Sequence, residues 1–227
     1  LYIVGSHFAF NAKHEFANHF LFTGHHLAVI ETDIAKSVQR WIAEEKAKLA
    51  DVQQDIRGLF CGGTLTAEAL SILRSSGKSV KSNVAKKEEE KLNDITQSVG
   101  HTLLDMGDDE FTKGKPHPMI EPSLRNERIL QEARDPQTAV LLLDFELGYG
   151  AHEDPVGVTL ETLQLARDEA TQAGRHLSIV TYICGTSKDK QDYQQQLKKL
   201  QSIGAFVADS NEMATRIAAM LVQKEVN

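Results

Sequence analysis

The densest run of reactive side chains in the 227-residue chain lies between Leu103 and Pro122, LLDMGDDEFTKGKPHPMIEP. Asp105, Asp108, Asp109, Glu110, Lys113, Lys115, His117 and Glu121 share this stretch with two glycines and three prolines. It reads as a long loop between a short buried strand, HTLL, and a helix, SLRNERILQEAR. Loops of such length in compact domains are functional or disordered. Phe111, Met119 and Ile120 as apolar anchors, with prolines stiffening the path, favour function. An imidazole is about half charged near neutral pH, so it can serve as general acid, general base or nucleophile towards phosphorus. His117 stands between Pro116 and Pro118, which restrict the backbone on both sides and limit the directions its ring can take. A second imidazole, His152 in GAHEDP, either does the same work or bonds to Glu153 or Asp154 as a turn residue.

Three turns supply glycine beside such groups: Gly62-Gly63, Gly148 with Gly150, and Gly185. Glycine lets a backbone approach an anion, and the N-terminus of a following helix offers unpaired N–H groups and a partial positive charge. Each turn could hold a phosphate or carboxylate, or could simply close a strand-to-helix connection. Ligands of open α/β sheets gather at the carboxyl ends of strands, which is where these turns fall.

The elements that must position these residues follow from pattern. Ile56 to Phe60 reads as a strand, CGGT as a turn, and Leu65 to Ser75 as a helix begun by Thr64 or Thr66. The order returns with a strand over Leu177 to Ile183, the turn CGT, and a helix over Lys188 to Ile203, which suggests two related halves. Between them AVLLLDF, Ala139 to Phe145, is apolar enough to be central in a sheet covered on both faces. Val158 to Gln172 predicts an amphipathic helix, Phe206-Val207 a short strand, and Asn211 to Val222 a closing helix. Lys86 to Gln97 predicts a solvated helix, and the segment from Thr32 or Asp33 to about Ala50 a connecting or packing helix with Ile34, Val38, Trp41, Ile42 and Leu49 at helical spacing. Before it, His7, His14, His19, His25 and His26 mix with phenylalanines in no metal-ligand spacing, which favours packing against another domain or a partner.

Composition excludes several function classes. A formal charge of −7, with no basic stripe, argues against nucleic acid. No apolar run suits a membrane span, and Cys61 and Cys184 are too few and too far apart for a disulfide framework. A cytosolic protein with reduced thiols is expected. The chain opens on Leu1, as a portion of something larger would.

Taken in order, GLFCGGTLTAEAL, LLDMGDDEFTKGKPHPMIEPSLR, LLLDFELGYGAHEDP and YICGTSKD resemble the FdrA family of acyl-CoA synthetase-like proteins, over residues 57 to about 222. That family is similar in turn to the succinyl-CoA synthetases. The resemblance implies an α/β fold with parallel sheets: two flavodoxin-like ligase domains, alpha-subunit-like over 56–137 and beta-subunit-like over 138–227, behind an N-terminal segment and connecting helix over 1–55. Members carry an amino-terminal Rossmann-type domain for coenzyme A. No GxGxxG follows an early strand here, so coenzyme A and a Mg-nucleotide would come through a missing domain or a partner. The GHAGA motif that holds the phosphate-carrying histidine in nucleoside-diphosphate-forming ligases is also absent.

Three functions remain open under that resemblance. In the first, an acyl-CoA ligase, His117 or His152 accepts a phosphoryl group, Gly62, Gly63, Thr64, Gly148, Gly150, Gly185 and Thr186 hold it, Lys113 or Lys115 offsets its charge, and Asp108 or Glu110 orients the imidazole. In the second, a component of oxamate carbamoyltransferase in allantoin catabolism, the same turns bind a small anion and phosphate with no covalent histidine. In the third, the chain is a scaffold subunit and its glycines are structural. Asp108, Asp109 and Glu110 could hold Mg²⁺, but three consecutive acids read as a solvated turn, and no metal site is assigned. The expected partners are a small anionic or acyl substrate and other subunits, in a homo-oligomer or hetero-complex.

Overall fold

A computed structural model of the protein describes residues 36–223. The chain divides between Ala47 and Lys48 into two compact units. In the first, residues 36–46 form helix α1, four residues shorter at its end than the pattern predicts. The histidine-rich segment and the proposed caps Thr32 and Asp33 lie outside the described residues. No helix among the described residues is long and apolar enough to cross a membrane.

The second unit alternates strand and helix: β1 (Asp55–Phe60), α2 (Gly63–Ser75), β2 (Val80–Ser82), β3 (His101–Asp105), α3 (Asp109–Thr112), α4 (Ser123–Arg134), β4 (Thr138–Glu146), α5 (Gly157–Gln172), β5 (Ser178–Cys184), α6 (Tyr193–Ser202), β6 (Phe206–Ala208) and α7 (Asn211–Leu221). Its six strands form one parallel sheet in the order β2-β3-β1-β4-β5-β6. The α/β class and the parallel sheet match the expectation from sequence. The two expected ligase domains do not form two sheets, however. β1 pairs with β4 from Asp55↔Thr138 to Leu59↔Leu143, so the boundary drawn at residue 137 runs through the middle of one sheet. The reason lies in β4 itself: its nine residues are buried on both faces except at Glu146, and such a strand needs a neighbour on each side. A repeated strand-turn-helix unit is the ordinary building block of a single doubly wound sheet, so the CGGT and CGT echo did not require two domains.

α2 packs on α7, and α4 on α5. α4 and α7 both lie against β4, without substantial contact between the two pairs, so the pairs cover opposite faces of the sheet. Leu141, Leu143 and Phe145 of β4 meet Ile129 of α4 and Leu163 and Ala166 of α5 in the main core. The helix after β1 therefore starts on one face and the helices after its neighbours β3 and β4 start on the other. That divergence opens a crevice at the carboxyl ends of these strands.

Two other expectations change. Lys86 to Gln97 holds only a 3-10 turn at Glu88–Glu90. Leu92 and Ile95 are its apolar residues, and Leu92 packs against the core, too little apolar surface to hold a helix face. Asp94 instead accepts from the Thr96 N–H and hydroxyl, while Arg128 and Gln131 of α4 donate to the carbonyls of Ile95 and Thr96 and strap the segment down. α6 begins at Tyr193, not Lys188, because Asp192, at φ 54°, caps it by accepting from the N–H groups of Gln194 and Gln195.

Candidate functional site: the crevice at the ends of β1, β3 and β4

The Cys61-Gly62-Gly63 turn is the pivot of the crevice. α2 starts immediately after it, with no side-chain cap on its N-terminus and no acidic residue in its first turn. The expected caps Thr64 and Thr66 do not serve: Thr64 is exposed, and the Thr66 hydroxyl donates back to the Gly62 carbonyl at 2.8 Å. Nothing lies within 4 Å of a Cβ built on Gly62, so the approach to that residue is open, and no side chain caps the N–H groups that follow it.

His117 and Asp105 stand beside this turn. A Cβ on Gly107 would collide with the His117 ring and lie 2.5 Å from the Cys61 carbonyl, so only glycine there lets the imidazole close onto the strand ends. The His117 Nδ1 accepts from the Met119 N–H at 3.2 Å. Asp105 Oδ1 accepts from the Gly107 N–H at 2.9 Å, and its Oδ2 lies 2.9 Å from the Cβ position of Gly63. Burial raises the Asp105 carboxyl above its ordinary range, opposed by the Gly107 hydrogen bond.

Cys61 also lines a pocket with Pro118, Met119, Pro122, Arg125, Phe145, Glu146, His152, Pro155 and Thr159. Arg125, from α4, is 2% exposed, donates from Nη1 to the Cys61 sulfur at 2.9 Å and from Nη2 to the Asp144 carbonyl at 2.5 Å, and lies over the Phe145 ring at 5.1 Å. Its Nη2 is also 3.2 Å from Asp144 Oδ1. The Asp144 carboxylate receives the Cys61 N–H, which locks the end of β1 to the end of β4. Burial, then the neighbouring Glu146 charge, push the Asp144 carboxyl far up, against the pull of Arg125. The Arg125 guanidinium is the cation that faces the buried Asp144 carboxyl. Burial also pushes the Cys61 thiol up, so it stays protonated and is a poor nucleophile. Cys61, Asp144 and Glu146 place one ligand atom each within 4.8 Å of one another, but the Arg125 guanidinium already supplies the positive charge of that cluster.

His152 lines this pocket, and its Nδ1 accepts from the Asp154 N–H at 2.9 Å. Its main-chain N–H donates to the Met119 carbonyl at 2.9 Å, which joins the two histidine loops. The remaining residues singled out in the sequence lie elsewhere. Asp108 caps α3 through the Glu110 N–H, and Glu110, Lys113 and Lys115 are exposed. Gly185 makes room for the Leu147 side chain, and the Thr186 N–H and hydroxyl both bond to Asp189, an anion already supplied by the chain. Gly148 and Gly150 take φ of 114° and 95°, and the Gly148 N–H is held by Gln191. Of the three glycine turns, then, only Gly62-Gly63 presents an open helix N-terminus.

Arg125, Cys61, Asp144, Glu146 and Gly107 are the crevice residues that the sequence did not single out as chemistry, whereas Asp105 belongs to the reactive Leu103–Pro122 run. Asp144 carried a usable signal, a lone acid inside an otherwise apolar strand, because a buried carboxyl needs a partner. Arg125 had none, since SLRNER reads as a solvated helix start.

The family model described as CoA-ligase matches residues 59–221, a span that includes every crevice residue named above. The chain is also 45% identical over 186 residues to "Uncharacterized protein YahF" of Escherichia coli (strain K12), an overlap of 82% of this chain and 36% of that protein. The chain thus spans about a third of the length of that relative. By the family match across most of its length, it belongs to the CoA-ligase family.

Proposed function

We propose that this chain is the transfer module of an acyl-CoA synthetase (NDP-forming), succinyl-CoA ligase-like protein of the FdrA type. In this reading it seats a small anion on the Gly62-Gly63 turn and passes an acyl or phosphoryl group across the crevice. The observation that carries it is the uncapped start of α2, open in front of His117 at the point where helices diverge to opposite faces of the sheet. Orphan N–H groups at a helix start fit phosphate oxygens, whereas no turn at these strand ends has the GxGxxG pattern that cradles a dinucleotide pyrophosphate. Coenzyme A and a Mg-nucleotide therefore belong, in this proposal, to a further domain or a partner subunit. For His117 to accept a phosphoryl group, its ring must release the Met119 N–H and carry its proton on Nδ1. The Nε2 lone pair then forms the N–P bond as the P–O bond to the leaving group breaks.

A specific observation favours a second reading, the carbamoyl transfer from oxalurate to phosphate that gives oxamate and carbamoyl phosphate. Both His117 and His152 accept a main-chain N–H at Nδ1, so each neutral ring carries its proton on Nε2 and acts as a donor rather than a nucleophile. Such rings can hydrogen-bond a transferring group through Nε2–H with no covalent intermediate.

Intact-mass spectrometry at neutral to alkaline pH, after incubation with Mg-ATP, acetyl phosphate or carbamoyl phosphate, separates the two. An acid-labile phosphate-sized adduct that disappears in His117→Gln or His152→Gln supports the phosphohistidine ligase. No adduct under any condition, with folded protein and its partners present, removes that route and leaves direct carbamoyl transfer or a scaffold role.

A further inference from the structure

The loop that carries His152 is held from outside its own strand and helix. Gln191, between β5 and α6, is 4% exposed. Its Oε1 accepts from the Gly148 N–H at 3.0 Å, and its Nε2 donates to the Gly148 carbonyl at 2.8 Å and the His152 carbonyl at 3.1 Å. A primary amide is the side-chain group that can accept once and donate twice in this way. One residue thus pins both ends of the turn 148–152, whose two glycines adopt left-handed φ. Gln196, at 2% exposure, continues the clamp: its Oε1 accepts from the Val156 N–H at 3.0 Å, and its Nε2 donates to Asp154 Oδ1 and to the Gln191 carbonyl, both at 3.0 Å. Lys199 adds an ion pair to Asp154 at 2.5 Å.

We infer that Gln191 is the positioning residue for His152, fixing where its imidazole stands in the Arg125 pocket through the two ends of the Gly148–His152 turn. A buried amide is costly unless every group is paired, and here all the pairing goes to main chain of the histidine loop. Two fully bonded glutamines therefore hold one geometry more specifically than apolar packing would. The inference rests on the reading that this crevice is the working site.

The test is NMR of the histidine rings in ¹⁵N-labelled full chain, with His152→Gln to assign the signal and acetyl phosphate as probe. Gln191→Met keeps the shape and loses all three bonds; Gln191→Glu keeps the acceptor for the Gly148 N–H and loses both donations. In each, with folding confirmed by far-UV circular dichroism, the His152 ring signals shift and the His117 signals stay. The apparent affinity of acetyl phosphate read at His152 weakens about tenfold, as loss of one or two net hydrogen bonds implies. If Gln191→Met fails to fold, Gln196→Met, which frees the Gln191 carbonyl, gives the same displacement in weaker form. Unchanged His152 signals in a folded variant overturn the inference. A parent protein whose His152 ignores the probe counts against the functional reading alone, because the ring shifts in the variants still decide the positioning role.

Discussion

Replacing Arg125 with methionine removes the one positive charge buried in the crevice. The guanidinium makes two hydrogen bonds, at 2.9 Å to Cys61 and 2.5 Å to the Asp144 carbonyl, approaches the Asp144 carboxyl at 3.2 Å, and covers the Phe145 ring. Without it the buried Asp144 carboxyl and its neighbour Glu146 lose the cation that faces them. Breaking a buried ion pair by removing one partner costs about 3–5 kcal/mol, and a lost cation–π contact of this kind contributes about 0.5–2 kcal/mol within that figure. Against a domain stability of about 5–15 kcal/mol, the variant stays folded but close to its limit. With a urea m-value of about 2 kcal/mol per molar, the denaturation midpoint falls by about 2 M. Asp144→Asn alone is milder, because Glu146 still faces Arg125, and the double variant Arg125→Met with Asp144→Asn recovers part of the single loss. A cycle of the four proteins should therefore give a coupling of about 1–3 kcal/mol. A loss below about 1 kcal/mol for Arg125→Met, or a coupling near zero, would refute the view that this network locks β1 to β4.

Gly107→Ala places a methyl group against the His117 ring and the Cys61 carbonyl; it should destabilise by about 1–3 kcal/mol and shift the His117 ring resonances while leaving those of His152 in place. His101 at the start of β3 is held down to about 4 by burial, with Lys78 and Arg57 adding to the effect. The unfolded chain therefore binds a proton that the folded chain refuses, and stability falls as pH drops from about 6.5 through about 4, by at most about 1.4 kcal/mol per pH unit. Partial exposure of the ring narrows that window, and His101→Gln should flatten this limb of the urea stability profile. Lys199→Met, which cuts the half-exposed bridge to Asp154, should cost under about 1 kcal/mol in the same urea assay, much less than loss of the buried Gln191 amide.

Much of the sheet was legible because its strands announce themselves. The central strand, the Ile56 to Phe60 strand, the Val158 to Gln172 helix and the closing helix sit within one or two residues of their predicted bounds. The three-residue strand β2, Val80–Ser82, was missed, since so short a run within KSVKSNV has no period to read. Sheet order was not legible either, because which strand stands beside β4 depends on contacts eighty residues apart. At the crevice, His117 and His152 drew notice through their loops, and the structure sets both beside Cys61. The network between them rests on Arg125 and Asp144, whose identities are ordinary and whose meaning comes from burial. Asp108 and Thr186 looked like site residues and are instead bound up locally, one capping a helix and the other holding Asp189. Short polar residues near glycine suit turns as well as they suit ligands, and sequence pattern does not separate the two.

The sheet narrows from nine residues in β4 to three in each outer strand, β2 and β6. A sheet margin is where one chain can add itself to another through unpaired main-chain groups, and a margin three residues long, with Lys81 at the centre of β2, offers such an addition little to hold. Self-recognition by strand addition is thereby suppressed in the folded unit.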